Sequence, residues 1–534
     1  MNAQSLAGVA VFAADTHPGL ALRIPHSVRV RDRQPCGRTG ALDALVLDAQ
    51  LRQSLVCVRE LGRAGQRVGA LECDVEAAAF ASRWCAVSAV VPGFTQEPAV
   101  YRNALLSVLD RYPARVVIPA HDGSIEVLRA YRATLERQTA LALGSEAALS
   151  IAVDKAATLA IAERLGIAVP RGVAVDTPED VEAALAETGL PAVVKPRASW
   201  VERAGVATRL VSEAVMSVDE ARRAVETIVR AGGNALIQQW LPGRREAISV
   251  FSARGRIWAS FAQVAHRMVP VLGGSSVLRE SIALPADSTS AAQRLVRAIE
   301  LEGYAEVEFR RDRDGRPVLM EINPRLSASV EIAVRAGVNF PRLLFAWAAG
   351  EPLWSVSAYR TGRRMRWLGG DYYHLKETLA HQGRPDVPPA GRAIGTFLLD
   401  FLRPAAYDYL DARDPLPALV ATGQMLGHLA RRVLSPPTAP LHAGEGERAE
   451  DVHPYAPTDG RAGEPADVTA TSGGPGGQPA GVLADARIDA RAGTSVSSEP
   501  ETEGVVTVRG SGRAGQHLDR PTDSYPARVA LERP

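Results

Sequence analysis

The sequence predicts a mixed α/β and α+β protein, with a parallel α/β domain first, a longer region containing antiparallel hairpins after it, and disordered termini. Three observations carry this expectation. A strand, helix, strand rhythm runs from Leu45 to Tyr131, two antiparallel pairs turn at Arg254-Gly255 and Asp314-Gly315, and the composition changes abruptly at Ser435. At 534 residues the chain exceeds what one hydrophobic core organises, so two or three packed domains are expected.

Residues 1–40 lack sustained periodicity and read as a loose leader. Leu45 to Leu47 reads as a buried strand, Leu51 to Leu61 as a helix closed by Gly62, and Val68 to Leu71 as a second strand. The rhythm continues through a strand at Cys85 to Val91, a helix at Tyr101 to Leu109, a strand at Val116 to Pro119 and a helix at Ile125 to Tyr131. Asp154 is placed to cap a helix carrying Ala157, Ile161 and Leu165 on one face and stopping at Gly166. Strands follow at Ala192 to Lys195, Thr208 to Val211 and Ala235 to Gln238, with a helix at Val218 to Val229. Ala247 to Phe251 pairs with Ile257 to Val264, and Ala305 to Arg310 with Val318 to Ile322. From Ser435 onward the chain has no Phe, Trp, Met, Cys or Lys, so it lacks the apolar surface to offset the entropy of ordering and is expected to be disordered.

Several function classes are disfavoured early. With 61 basic and 60 acidic residues there is no long-range attraction to nucleic acid or to an anionic membrane surface. No apolar run reaches the length of a membrane span, and the stretch Leu6 to Ala14 lacks the basic flank of a signal peptide. Cys36, Cys57, Cys73 and Cys85 form no CxxC pair, and a reducing cytoplasm fits them best. The turn after the first strand, Asp48-Ala49-Gln50-Leu51, has no glycine, which argues against a dinucleotide fingerprint; no lysine follows a glycine, which excludes a P-loop.

Only three of the 61 basic residues are lysines, Lys155, Lys195 and Lys376. In a chain that uses arginine for nearly every positive charge, a retained lysine points to a need for a compact ammonium. On the second hairpin, Glu306 and Glu308 alternate on one strand and Glu321 and Asn323 on the other. A register that pairs them puts Glu308, Glu321 and Asn323 on one face, where three oxygen donors suit Mg²⁺. A solvated strand face is the plain alternative.

The runs Gly303-Tyr304-Ala305-Glu306-Val307-Glu308-Phe309 and Glu321-Ile322-Asn323-Pro324-Arg325 resemble the metal-binding end of the ATP-grasp superfamily. The resemblance extends upstream through Asp154-Lys155, Val193-Val194-Lys195-Pro196, and Ile237-Gln238-Gln239-Trp240-Leu241-Pro242-Gly243 with Glu246 behind it. The motifs span residues 150–345. Individually they are weak; in this order and spacing they form a specific set, similar to carboxylate-amine ligases and to the carbamoyl-phosphate synthase and biotin carboxylase branches.

The resemblance implies a pre-ATP-grasp α/β domain over 41–140 and a two-lobed ATP-grasp domain over 141–350, with a small lobe at 150–240 and a large lobe at 241–350. A helical cap over 351–434 and the tail 435–534 follow. It further implies that Lys155 and Lys195 contact the phosphates of ATP, that Gln238 to Leu241, including Gln239 and Trp240, form the adenine hinge, and that Glu246 accepts from the ribose. Glu308, Glu321 and Asn323 would hold one or two Mg²⁺, with Mn²⁺ as an allowed substitute, and Arg325 would stabilise the transferring phosphoryl group. The loop over Pro196 to Gly205 corresponds to the family's phosphate-covering loop but is poor in glycine, which shifts the expected contacts to Ser199 and Arg203.

The segment His266 to Arg279 resembles one seen in carboxylate-amine ligase-like members, and Arg267 or Arg279 is the expected anchor for a substrate carboxylate. The implied reaction activates a small-molecule carboxylate as an acyl phosphate and couples it to an amine. Two alternatives stay open, a bicarbonate- or carbamate-phosphorylating enzyme of the same fold and a nucleotide-binding regulator without turnover. Self-association as a homo-oligomer is also left open.

Overall fold

The computed structural model describes residues 9–12, 28–33, 40–95, 97–203 and 206–434. The expected disordered tail and most of the expected leader lie outside the described residues.

The first sheet contains β1 (Val9–Phe12), β2 (Val28–Asp32), β3 (Leu42–Val46), β4 (Val68–Glu72), β5 (Cys85–Val90), β6 (Ala114–Ile118) and β7 (Ala140–Leu141), in the order β1-β2-β5-β4-β3-β6-β7. From β5 to β7 all neighbours are parallel. Their crossovers are α1 (Arg52–Arg63), α2 (Pro98–Arg111), α3 (Asp122–Ala130) and α4 (Arg132–Leu135). Such a sheet is buried on both faces, and β4 is buried along its whole length. The leader expectation is corrected at Val28–Asp32: this segment pairs antiparallel with β5 and buries Val30. Its alternating Val-Arg pattern is that of a strand with one face buried and the other charged.

Helices α5 (Glu146–Val153) and α6 (Lys155–Arg164) lead into a four-stranded antiparallel sheet of β8 (Gly172–Val175), β9 (Ala192–Pro196), β12 (Glu213–Val215) and β13 (Ala235–Gln239). Between β9 and β12 stands a separate hairpin, β10 (Trp200–Arg203) with β11 (Val206–Arg209). Helices α7 (Val181–Thr188) and α8 (Val218–Arg230) cover one face of the four-stranded sheet, where Val194, Val215 and Ile237 form an apolar core of their own with Val181 and Val225.

A second seven-stranded sheet follows, in the order β18-β17-β14-β15-β16-β19-β20. Its members are β14 (Arg245–Ala253), β15 (Arg256–Val269), β16 (Ser275–Ile282), β17 (Gly303–Arg311), β18 (Pro317–Asn323), β19 (Arg364–Arg366) and β20 (Ala406–Tyr407). Both expected hairpins are present, turning at Gly255 (φ +70°) and Gly315 (φ +78°), conformations that glycine adopts without strain. Helices α9 (Ala286–Ala298), α10 (Val330–Ala336) and α11 (Phe340–Ala348) pack against this sheet and the first one. Ile248, Val250 and Phe309 share a core with Leu45, Leu71 and Val117, so the parallel sheet and the large antiparallel sheet are joined by continuous apolar packing.

Residues 351–434 contribute α12 (Leu368–Ala380), α13 (Ala390–Leu399) and α14 (Leu416–Leu434), and also β19 and β20, which extend the large sheet beyond a purely helical cap. This segment reaches back to the first helix. Asp408 accepts from Arg52 at 3.2 Å and Arg279 at 3.0 Å, and Asp414 accepts from Arg59 at 2.9 Å, Ser82 at 2.7 Å and the Arg83 amide at 2.8 Å. Among the described residues no helix is long and apolar enough to cross a membrane.

Candidate active site

The lysine side of the site is built by a cap and a strand. Asp154 accepts from the amides of Ala156 and Ala157 at 2.9 and 3.1 Å and starts α6 where the sequence predicts. Lys155 is therefore fixed in the first turn, and its Nζ donates to Ser199 Oγ at 2.9 Å. Lys195 stands one residue before the end of β9, at 8% exposure. Burial pulls its ammonium down to about 8, against the opposing pull of Glu321 and Glu308.

Register decides which side chains share this face. Lys195 pairs with Leu236 and Val193 with Gln238, so Lys195 and Gln238 project together, opposite the face where Val194 and Ile237 meet the helices. Gln238 is 1% exposed, and both polar atoms of its amide lack a hydrogen-bond partner among the described residues. A buried amide with an unused donor and acceptor fits the edge of a heterocyclic base.

The acidic side comes from β17 and β18. Glu308 stands directly opposite Glu321, and Glu306 opposite Asn323. Two carboxyls facing each other in a buried position cannot both ionise freely. Burial lifts Glu308 to about 7, with Arg245 opposing at 3.2 Å and Glu321 adding to the rise. Burial also pushes Glu321 upward, but Lys155, Lys195 and the Asn323 amide, which donates to it at 3.2 Å, outweigh that and hold it below its ordinary value. Glu306 is committed elsewhere, accepting from Ser327 at 2.7 Å and Gln263 at 3.0 Å.

The two sides meet. One cleft is lined by Lys155, Ser199 and Trp200 on one wall, Glu321 and Asn323 on another, and Asp122 of α3 on a third. Among the described residues no three His, Cys, Asp or Glu side chains gather tightly enough to form a metal cage. Two carboxylates and an amide suit a Mg²⁺ that takes its remaining ligands from phosphates and water.

Other expected site residues are placed as follows. At the hinge, the Trp240 indole donates to Asp386 at 3.2 Å, Gln239 accepts from Arg171 at 3.1 Å, and the Leu241 carbonyl accepts from Arg310 at 3.1 Å. Glu246 accepts from Arg311 at 2.7 and 3.0 Å, which orients it while leaving lone pairs unused.

The expectation for Arg267 and Arg279 is corrected. Arg279 is fully buried and ties to Asp408, while Arg267 holds Asp371 at 2.6 and 2.8 Å and Asp400 at 2.8 Å. Guanidinium forks spent on protein carboxylates leave these arginines as braces rather than substrate anchors. His266 likewise pairs with Glu280 at 3.0 Å. Arg203 points away, donating to the Arg230 carbonyl at 3.0 Å. Arg325 reaches the site, but both arms of its fork are held by Asp122.

A family model described as "ATP-grasp in the biosynthetic pathway with Ter operon" matches residues 234–370, the hinge, the acidic hairpin and the strands between them. Among solved structures, the chain is similar to a biotin carboxylase from Campylobacter jejuni in a complex with ATP, at 16% identity and TM-score 0.51, covering 61% of this chain and 75% of that one. The fold is shared with that biotin carboxylase structure, and residues 234–370 match the ATP-grasp model. The chain is also similar to N5-carboxyaminoimidazole ribonucleotide synthetase from Thermus thermophilus, at 20% identity and TM-score 0.48, covering 68% and 98% of the two chains. It is likewise similar to an L-amino acid ligase from Bacillus licheniformis, at 18% identity and TM-score 0.47, covering 60% and 78%. No curated protein matches by sequence.

Within the ATP-grasp fold, sequence reasoning missed Asp122, Arg209 and Arg245. Asp122 and Arg245 reach the site through pairings with Arg325 and Glu308, which lie 203 and 63 positions away along the chain. No local spacing announces such contacts. The expected covering loop is also different in kind, because residues 200–203 and 206–209 pair as β10 and β11, with the Trp200 ring centred 5.4 Å from those of both Phe94 and His121.

Proposed function

We propose that the protein is an ADP-forming ligase that uses Mg-ATP to convert a carboxylate into an acyl phosphate and couples it to an amine. The reading is supported above all by one observation: the ammonium groups of Lys155 and Lys195 both act on the Glu321 carboxylate, and Lys155 and Glu321 line one cleft.

In this reading the Gln238 amide and the backbone of Gln239 to Leu241 receive the base, Glu246 takes the ribose, and Lys155 and Lys195 lie along the phosphates. Two ammonium groups close to a polyanion offset the charge that otherwise repels an incoming carboxylate. Glu308, Glu321 and Asn323 would hold Mg²⁺, whose contribution when bound is to neutralise and orient the β- and γ-phosphates. The substrate carboxylate oxygen attacks the γ-phosphorus as the bond to the β-phosphate oxygen breaks. The amine then attacks the acyl carbon and phosphate leaves with the C–O bond electrons. No protein nucleophile is required, so the rate gain comes from orientation and charge placement.

The test is Mg-dependent ADP release by the full chain, screened over pairs of carboxylates and amines, with hydroxylamine as a surrogate amine. A competent ligase yields a hydroxamate and ADP in equal amounts from its true carboxylate. Nucleotide binding with no product across the screen would favour a regulator without turnover.

A further inference from the structure

The covering hairpin raises a question that the family resemblance leaves open. Residues 200–203 and 206–209 pair with each other in antiparallel register, so the backbone donors that face the partner strand are spent on a ladder. Side chains of this wall then become the natural contacts for a phosphate. Ser199 is engaged by Lys155, Arg203 donates to the Arg230 carbonyl, and Arg197 is held by Asp154 at 2.8 Å.

Arg209 differs. It stands opposite Trp200 in the ladder, and cross-strand partners project on the same face, so it emerges on the side where Trp200 lines the cleft. Its Nε is buried and has no hydrogen-bond partner among the described residues. Asp122 and Glu321, both lining the cleft, are the acids that act on it. Arg325, the other guanidinium nearby, already gives its Nε and one Nη to Asp122.

We propose that Arg209 binds the terminal phosphoryl group of the nucleotide and makes the site prefer a triphosphate over a diphosphate. The inference rests on the nucleotide-binding reading above. The base is assigned to the hinge beside Gln238, so the phosphate chain runs away from it toward Glu321 and Asp122. Arg209 interacts with the acids of that far end. A buried Nε–H without an acceptor is costly, and an anion arriving there removes the cost. A γ-phosphate supplies two oxygens with the spacing of the guanidinium fork, whereas ADP ends short of it.

The experiment measures equilibrium binding of MgADP and of the non-hydrolysable Mg-AMP-PNP to the full chain. Wild type is expected to bind the triphosphate analogue more tightly. Arg209→Gln should lower that affinity about tenfold or more while ADP affinity stays within about twofold, because a charged hydrogen bond has been removed at one phosphate only. Retained ADP affinity also reports that the variant is folded. Arg203→Gln should change neither value. Should Arg209→Gln lose both ligands, Arg209→Lys decides: a reduced triphosphate preference with ADP binding intact supports the inference, and an unchanged preference overturns it. Equal weakening of both ligands by Arg209→Gln in a folded chain, or no change in either, would also overturn it while leaving the nucleotide reading in place. A wild-type chain that binds neither nucleotide would remove that reading itself.

Discussion

Arg325 and Asp122 join two sheets across the edge of the cleft: the guanidinium that follows the acidic hairpin donates to the carboxylate in the first turn of α3, 203 positions earlier in the chain. The pair is largely buried, with side chains 19% and 24% exposed. Burial by itself would raise the Asp122 carboxyl, but Arg325 outweighs it and holds the group below the usual carboxylate range. Asp122→Asn leaves a buried guanidinium without its counter-charge and should cost about 2–3 kcal/mol in denaturant unfolding, somewhat less than a fully buried pair. A depressed folded pKa contributes stability above the unfolded value near about 4 and loses it as pH falls toward the folded value. The difference between wild type and Asp122→Asn should therefore be constant at neutral pH and shrink below about pH 4.

Lys195 makes the opposite kind of titration. Its ammonium is lowered to about 8 by burial, so the neutral form is the favoured one in the folded protein at high pH, and its stabilising effect fades as pH falls through about 8. Binding a polyanion reverses the preference and draws a proton in. Calorimetric titration of Mg-AMP-PNP near pH 8, repeated in buffers of different ionisation enthalpy, should register net proton uptake in wild type and little in Lys195→Met. Lys195→Arg should bind as poorly as Lys195→Met, because the slot is closed around a small cation.

The acidic hairpin should separate metal from nucleotide. Glu321→Gln is expected to weaken Mg²⁺ dependence of nucleotide binding by about tenfold or more, since even outer partners of metal ligands cost that much. Metal-free nucleotide binding should persist or improve as a negative charge leaves the cleft. Chelation of Mg²⁺ in wild type should reproduce the variant's affinity; a variant still rescued by millimolar Mg²⁺ would place the metal elsewhere.

Arg279 provides a contrast. Arg279→Met should destabilise the fold by about 3–5 kcal/mol because Asp408 loses a buried partner. The substrate KM of the surviving folded fraction should not change. A selective rise in KM for the carboxylate would return Arg279 to the substrate site.

Some parts of this structure were written locally in the sequence. The Asp314-Gly315 turn and the alternation of Glu306, Glu308, Glu321 and Asn323 predicted the acidic hairpin, and the Asp154 cap predicted where Lys155 stands. Other parts were not local. Arg267 and Arg279 have the chemistry of substrate anchors until Asp371, Asp400 and Asp408 are brought to them from 104 to 133 positions away. Val28–Asp32 looked structureless because its arginines, on the exposed face of a short strand, mask the single buried position at Val30. Arg209 was hidden because its strand, expected at Thr208 to Val211, gave no hint that it would pair with Trp200–Arg203 and set Arg209 opposite Trp200.

The embrace of α1 by Asp408 and Asp414 has a consequence for how this protein can be recombined. A chimera that takes its front sheet from a relative would separate Arg52 and Arg59 from the acids that neutralise them, although those acids are encoded more than 340 codons downstream. The exchangeable module is thus two distant stretches of gene, and a crossover that moves one must import the other.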